Sequence, residues 1–208
     1  SLTRLGQWPW PRTMVAELIS KLTEMGAAVV AFDIVFAEPD RTSPRQVLPL
    51  WPPTPEVEAL LQARDRLPDH DAVLAEAIGA GNVVLGFVLS EQPGGRKPKV
   101  GGTVAWGGDD PLPWIPVFRG AIANLPQLEA KAAGNGSFNM APGLDGLVRR
   151  VPLVVRHGDR RDQTQVYTSL AVEALRVAQG ARTVIGKTSG ASGEASFGED
   201  TGINQMRV

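Results

Sequence analysis

The chain has no cysteine. That excludes disulfides, thiolate metal sites and a cysteine nucleophile. Long apolar runs are missing as well. Nothing approaches the roughly 18 residues of a membrane span; the stretch Ala77 to Ser90 is short and broken by Gly79, Gly81 and Gly86. There is no excess of positive charge: Lys plus Arg total 21 against 22 Asp plus Glu, a formal net charge of −1. That balance argues against nucleic acid or an anionic membrane surface as the main partner, since both call for clustered cations. Histidine is scarce. His70 and His157 are the only two. No His-x-x-x-His or His-x-Glu spacing exists, so a metal centre or a catalytic triad has no support and no cofactor is expected. The first residue is Ser1 rather than Met, and no secretory leader follows, which predicts a segment excised from a longer protein.

What is present reads as a folded α/β protein. Hydrophobic residues are 43% and charged residues 21% of 208, ordinary for a chain with a real core. Val15, Leu18, Ile19, Leu22 and Met25 recur at helical spacing after Pro11, and Gly26 supplies a stop. Ala27 to Phe36 then reads as a strand covered on both faces. The pattern returns: Asp69 or Asp71 caps a helix carrying Val73, Leu74, Ala77 and Ile78, glycines end it, and Asn82 to Leu89 is a second buried strand. Helix, glycine, strand, twice over, predicts a mixed, largely parallel sheet flanked by helices.

Further elements are expected at Glu56 to Arg66 (helix), Gly136 to Met140 (strand), Leu147 to Arg156 (strand), Thr168 to Gln179 (helix) and Thr183 to Ile185 (strand). Ala121 to Lys131 is weakly helical and broken by Pro126. With 17 Pro and 23 Gly in the chain, two long excursions stand out, 38–55 and 91–118, each long enough to act as a lid. Residues 1–185 are expected to form the domain and 186–208 a mobile Gly/Ser-rich tail.

Several motifs carry little chemistry. The run from Gly180 to Lys187-Thr188 resembles a phosphate loop but has Ala181 where the pattern needs glycine. It also follows a helix instead of opening one. Gly107-Gly108-Asp109-Asp110 matches the signature turn of diguanylate cyclases without its flanking strands, and reads as a solvated turn. Trp8, Trp10 and Trp114 read as core or interface anchors. Asp33, Glu38 and Asp40 form a loose acidic group whose separation nothing fixes.

Two features point to a ligand. Asp33 is an acid inside an apolar strand, and a buried unpaired carboxylate is costly. It either faces a crevice at the carboxyl end of the strand or accepts hydrogen bonds within the structure. Arg149 and Arg150 follow Asp145 at a strand entry. They either make a salt bridge to Asp145 or Asp33, or clamp an anion.

Trp8-Pro-Trp-Pro-Arg12, then a helix, Gly26-Ala27 and Phe32-Asp-Ile-Val-Phe-Ala-Glu-Pro-Asp40 resemble the start of the CHASE domain of the second type. Asp71 to Leu89, Asn139 through Asp145-Gly-Leu-Val-Arg149-Arg150-Val-Pro-Leu153, and Tyr167 to Ala171 continue the resemblance, which spans residues 8 to 180. It implies an extracellular sensor module rather than an enzyme. In such receptors membrane helices flank the module and a cytoplasmic cyclase, histidine kinase or diguanylate cyclase ends the chain. The expected setting is the periplasmic side of an inner membrane, where a core of this size needs no disulfides. The expected partner is a small, anionic molecule near Asp33, Asn139, Asp145, Arg149 and Arg150, with no catalytic residues. The alternatives are a homodimerising structural module and, further off, a free-standing α/β hydrolase or transferase.

Overall fold

The computed structural model describes residues 6–140, 145–158, 164–191 and 202–208. In chain order it runs α1 (Arg12–Glu24), β1 (Val30–Phe32), α2 (Pro44–Val47), α3 (Pro55–Gln62), α4 (His70–Ala80), β2 (Val83–Ser90), β3 (Thr103–Gly107), β4 (Val117–Phe118), β5 (Gly120–Ile122), α5 (Pro126–Lys131), β6 (Gly134–Ser137), β7 (Val154–His157), β8 (Gln165–Thr168), α6 (Leu170–Ala178), β9 (Thr183–Thr188) and β10 (Ile203–Arg207). The fold is mixed α/β. Its described strands fall into three sheets.

The central sheet is organised on β2. It pairs in parallel with β1, from Val30↔Val83 to Phe32↔Leu85, and with β6, from Val84↔Gly134 to Phe87↔Ser137. Its last residues pair antiparallel with β5, Val88 opposite Ile122. A second sheet has the order β10-β9-β3, and a third β4-β7-β8.

Periodicity explains the core. Val15, Ala16 and Ile19 of α1 and Leu74, Ala75 and Ile78 of α4 present apolar stripes to Phe32, Val83 and Leu85. Burying each large aliphatic side chain stabilises the fold by about 1.5–3 kcal/mol. Phe87, Leu89, Ala121, Val155 and Tyr167 form a second cluster beneath β5 and the third sheet, with the Phe87 and Tyr167 rings edge to face at 5.0 Å. On α6, Glu173 and Arg176 are both buried and pair at 2.7 Å. Arg176 also donates to the carbonyls of Ala181 and Ala133, and the Thr168 hydroxyl donates to Glu173.

Four sequence expectations differ from the structure. The strand at 27–36 is only three residues long. Beyond Phe32 the chain leaves the ladder and Asn124 fills the gap: its Oδ1 accepts from Phe36 N–H and its Nδ2 donates to Gly86 O, both at 2.8 Å. The prolines of 38–55 do not exclude helix. Pro44 and Pro55 open α2 and α3, and Pro126 opens α5 instead of breaking it, because the first turn has no use for their missing N–H. Of the strand expected at 147–156, only Val154 onward is regular; Leu147, Val148, Val151 and Leu153 are exposed. Residues 186–188 and 203–207, expected in a tail, lie in β9 and β10. Apolar periodicity is nearly absent there; backbone pairing makes the strands, and the buried Thr188 hydroxyl adds to it by donating to Asp109 O at 2.7 Å. Residues 192–201 lie outside the described residues.

Candidate functional site

Short turns join α1 to β1, α4 to β2 and α5 to β6. Each helix therefore runs back along its strand, and all three helix N-termini come to the carboxyl edge of the central sheet. Open α/β sheets take ligands at that edge. Here the segment 36–43 crosses the N-termini of α1 and α4, and a buried polar cluster forms beneath it.

Asp40 is its centre and is buried. One carboxylate oxygen accepts from the Arg12 backbone N–H at 2.8 Å and stands 3.1 Å from His70 Nδ1. The other accepts from the Thr42 backbone N–H and hydroxyl, each at 2.9 Å. Burial alone pushes Asp40 up. The donors Arg12, Thr42 and His70 together outweigh burial and hold the acid below its ordinary 3.8.

Asp71 is the mirror case. Its Oδ2 accepts from the Asp40 backbone N–H at 2.8 Å. Its Oδ1 has no hydrogen-bond partner among the described residues, the nearest cation being Arg12 Nε at 3.5 Å. Burial raises Asp71 above 3.8, and the Asp40 N–H and the Arg12 charge only partly offset it. Arg12 Nε has no hydrogen-bond partner of its own among the described residues, so it and Asp71 Oδ1 face each other as an ion pair, while the guanidinium also lies 4.4 Å over the Phe36 ring and donates to Glu38 O at 3.4 Å. Asp69 caps α4, its Oδ1 accepting from Asp71 N–H and Ala72 N–H at 3.0 and 3.2 Å.

Two cavities adjoin this cluster and share Pro39 as a wall. One, of about 450 Å³, is lined by Ser43, Gln46, Asp69, Asp71, Leu125 and Gln127, with Arg45 at its side. The other, of about 220 Å³, is lined by Trp10, Arg12, Asp40 and Thr42. The arrangement places fixed charges around two half-open clefts. Among the described residues no group of His, Asp and Glu is disposed to hold a metal ion.

The residues singled out in the sequence lie elsewhere. Asp33 is exposed. With Ala31 it points to the uncovered face of β1, while Phe32 points inward. Asn139 extends the ladder of β2, its Oδ1 accepting from Leu89 N–H at 2.8 Å and its Nδ2 donating to Leu89 O at 2.7 Å. Asp145 and Arg149 form an exposed ion pair at 2.7 Å, of the kind worth at most about 1 kcal/mol. The Arg149 guanidinium and the Leu147 N–H hold Asp145 below its ordinary value. Arg150 is exposed. No contact joins these residues to Asp33 among the described residues, so no clamp is assembled. The cluster of Arg12, Asp40, His70 and Asp71 escaped notice because its partners are 28 to 31 positions apart. The one available signal was that the acid-bearing turns 38–40 and 69–71 both sit at the expected carboxyl edge.

Comparison with known families decides the identity. The model of the CHASE2 domain matches residues 1–206. The chain belongs to the CHASE2 family. CHASE2 domains are extracellular sensor modules of receptors with cyclase or kinase outputs, and are not themselves catalytic. The CHASE2 match extends into β10, as far as residue 206. No curated protein and no solved structure matches the chain. No helix among the described residues is long and apolar enough to cross a membrane.

Proposed function

We propose that this CHASE2 domain is the periplasmic sensing part of a bacterial inner-membrane receptor. Its cytoplasmic output is an adenylate or guanylate cyclase, with a histidine kinase or diguanylate cyclase as the runner-up. The observation that carries this reading is the family match over nearly the whole chain. The polar cavities at the carboxyl edge of the sheet support it, since a sensor needs a place where a ligand prefers one arrangement of the domain over another.

The cysteine-free chain offers a clean test. Glu17 is exposed on α1, so Glu17→Cys in the full receptor provides a single reporter within this domain. A membrane-impermeant maleimide should label it in intact spheroplasts. Labelling only after lysis sinks the reading. Cyclic nucleotide production and autophosphorylation by the same receptor then separate the output classes.

One observation favours a second reading, a homodimerising module that signals by subunit rearrangement. Leu147, Val148, Val151 and Leu153 are each about half exposed in one short segment, an unusual density of uncovered aliphatics. Light scattering on the isolated domain, with Leu147→Ser/Val148→Ser as the variant, distinguishes a dimer from a monomer.

A further inference from the structure

The smaller cleft, of about 220 Å³, borders a guanidinium that its surroundings hold in place. The Arg12 side chain is only 13% exposed. Its Nε faces Asp71 Oδ1, its Nη2 donates to Glu38 O, and its central carbon lies over the Phe36 ring. Nη1 is different. It makes no hydrogen bond among the described residues, and unlike Nε it is not shut off from solvent. Its two N–H donors are therefore left over, on a side chain that lines the cleft. The planar fork is fixed before any ligand arrives, so little ordering is left for binding to do.

A second cation lines the same cleft. Arg41 is exposed and makes no hydrogen bond or ion pair among the described residues. The acids on the cleft leave these donors free. Both oxygens of Asp40 are already taken, one by the Arg12 backbone N–H and His70 Nδ1, the other by the Thr42 N–H and hydroxyl. Glu38 is exposed, and only its backbone carbonyl meets Arg12. Guanidinium donors match the two oxygens of a carboxylate, and such charge-assisted bonds are roughly twice as strong as neutral ones. Trp10 and Pro39 supply apolar surface for a short carbon chain.

We propose that this cleft binds a small carboxylate, whose oxygens accept from Arg12 Nη1 and from Arg41 while its carbon chain lies against Trp10 and Pro39. The proposal deepens the sensor reading and rests on it. The same carboxylate is offered by a simple acid and by an α-amino acid, whose ammonium group Glu38 can receive. The two are told apart by experiment.

The test is calorimetric titration of the purified chain, at constant ionic strength, with propionate, alanine and inorganic phosphate. Saturable binding of at least one carboxylate, tighter than that of phosphate, is expected. Binding of propionate assigns a simple carboxylate, and binding of alanine alone an amino acid. Arg12→Lys keeps the charge but removes Nη1, and should weaken that binding about tenfold or more. Arg41→Glu reverses an exposed charge that no described residue engages, and should weaken binding comparably whether or not Arg12→Lys folds. No carboxylate binding, phosphate binding at least as tight, or unchanged affinity in Arg41→Glu or in a folded Arg12→Lys overturns the proposal. Failure here leaves the spheroplast labelling result untouched, so the two readings fall separately.

Discussion

Asp40 and Asp71 are neighbouring buried acids that their surroundings push in opposite directions. For Asp40 the folded value lies below the unfolded one, so the folded state binds fewer protons. Its stabilisation is present above about 3.8 and is lost as pH falls through the folded value. Asp40→Asn should therefore lower the melting temperature at pH 7, by about 2–4 °C for each of the roughly 1–3 kcal/mol that such hydrogen bonds contribute. The gap to the wild type should close on acidification. A gap that stays constant from pH 7 to pH 3 contradicts the assignment. Asp71 has the reverse sign: its contribution is full below 3.8 and is lost as pH rises through the raised folded value. Melting temperatures of Asp71→Asn should thus approach those of the wild type as pH rises. At this scale the sequence was a poor guide. Asp33 looked buried because the run from Ala27 to Phe36 is apolar, but only one face of β1 is covered. Asp40, in a proline-rich stretch, joined Asp33 and Glu38 only as a loose acidic group, because nothing in the sequence fixes their separation.

At the scale of elements, local signals were legible. The stripes of α1, α4 and α6, the Asp69 cap and the left-handed Gly26, at φ +85°, all lie within a few residues of what they control. The small sheets were not legible, because β3 finds β9 some eighty positions away and pairs through backbone, which no side-chain pattern announces. Nor was the burial of Glu173 and Arg176, a pair three positions apart that resembles any surface ion pair. Burial changes its meaning. Arg176→Met should cost about 3–5 kcal/mol, because it strands the Glu173 charge in the interior. Glu173→Leu/Arg176→Met removes both charges and should cost clearly less than the two single changes combined. Urea denaturation of the four proteins measures the coupling. Strict additivity rules out the buried pair as a unit.

The whole molecule hangs on one strand. β2 carries partners along both edges and keeps Val83 to Phe87 fully out of solvent. Its amides should be the last to exchange with deuterium, opening only when the entire domain unfolds. The amides of β3, β9 and β10 should exchange faster, through local opening. Equal protection in the two sheets overturns that order. The consequence concerns how news of an occupied cavity leaves it. The cavity walls belong to the entry ends of α1, α4 and α5 and to the strap from Glu38 to Gln46, all resting on the sheet expected to open last. If the domain senses as proposed, the inexpensive response is a sliding of helices across an unbroken floor, a displacement rather than a loosening.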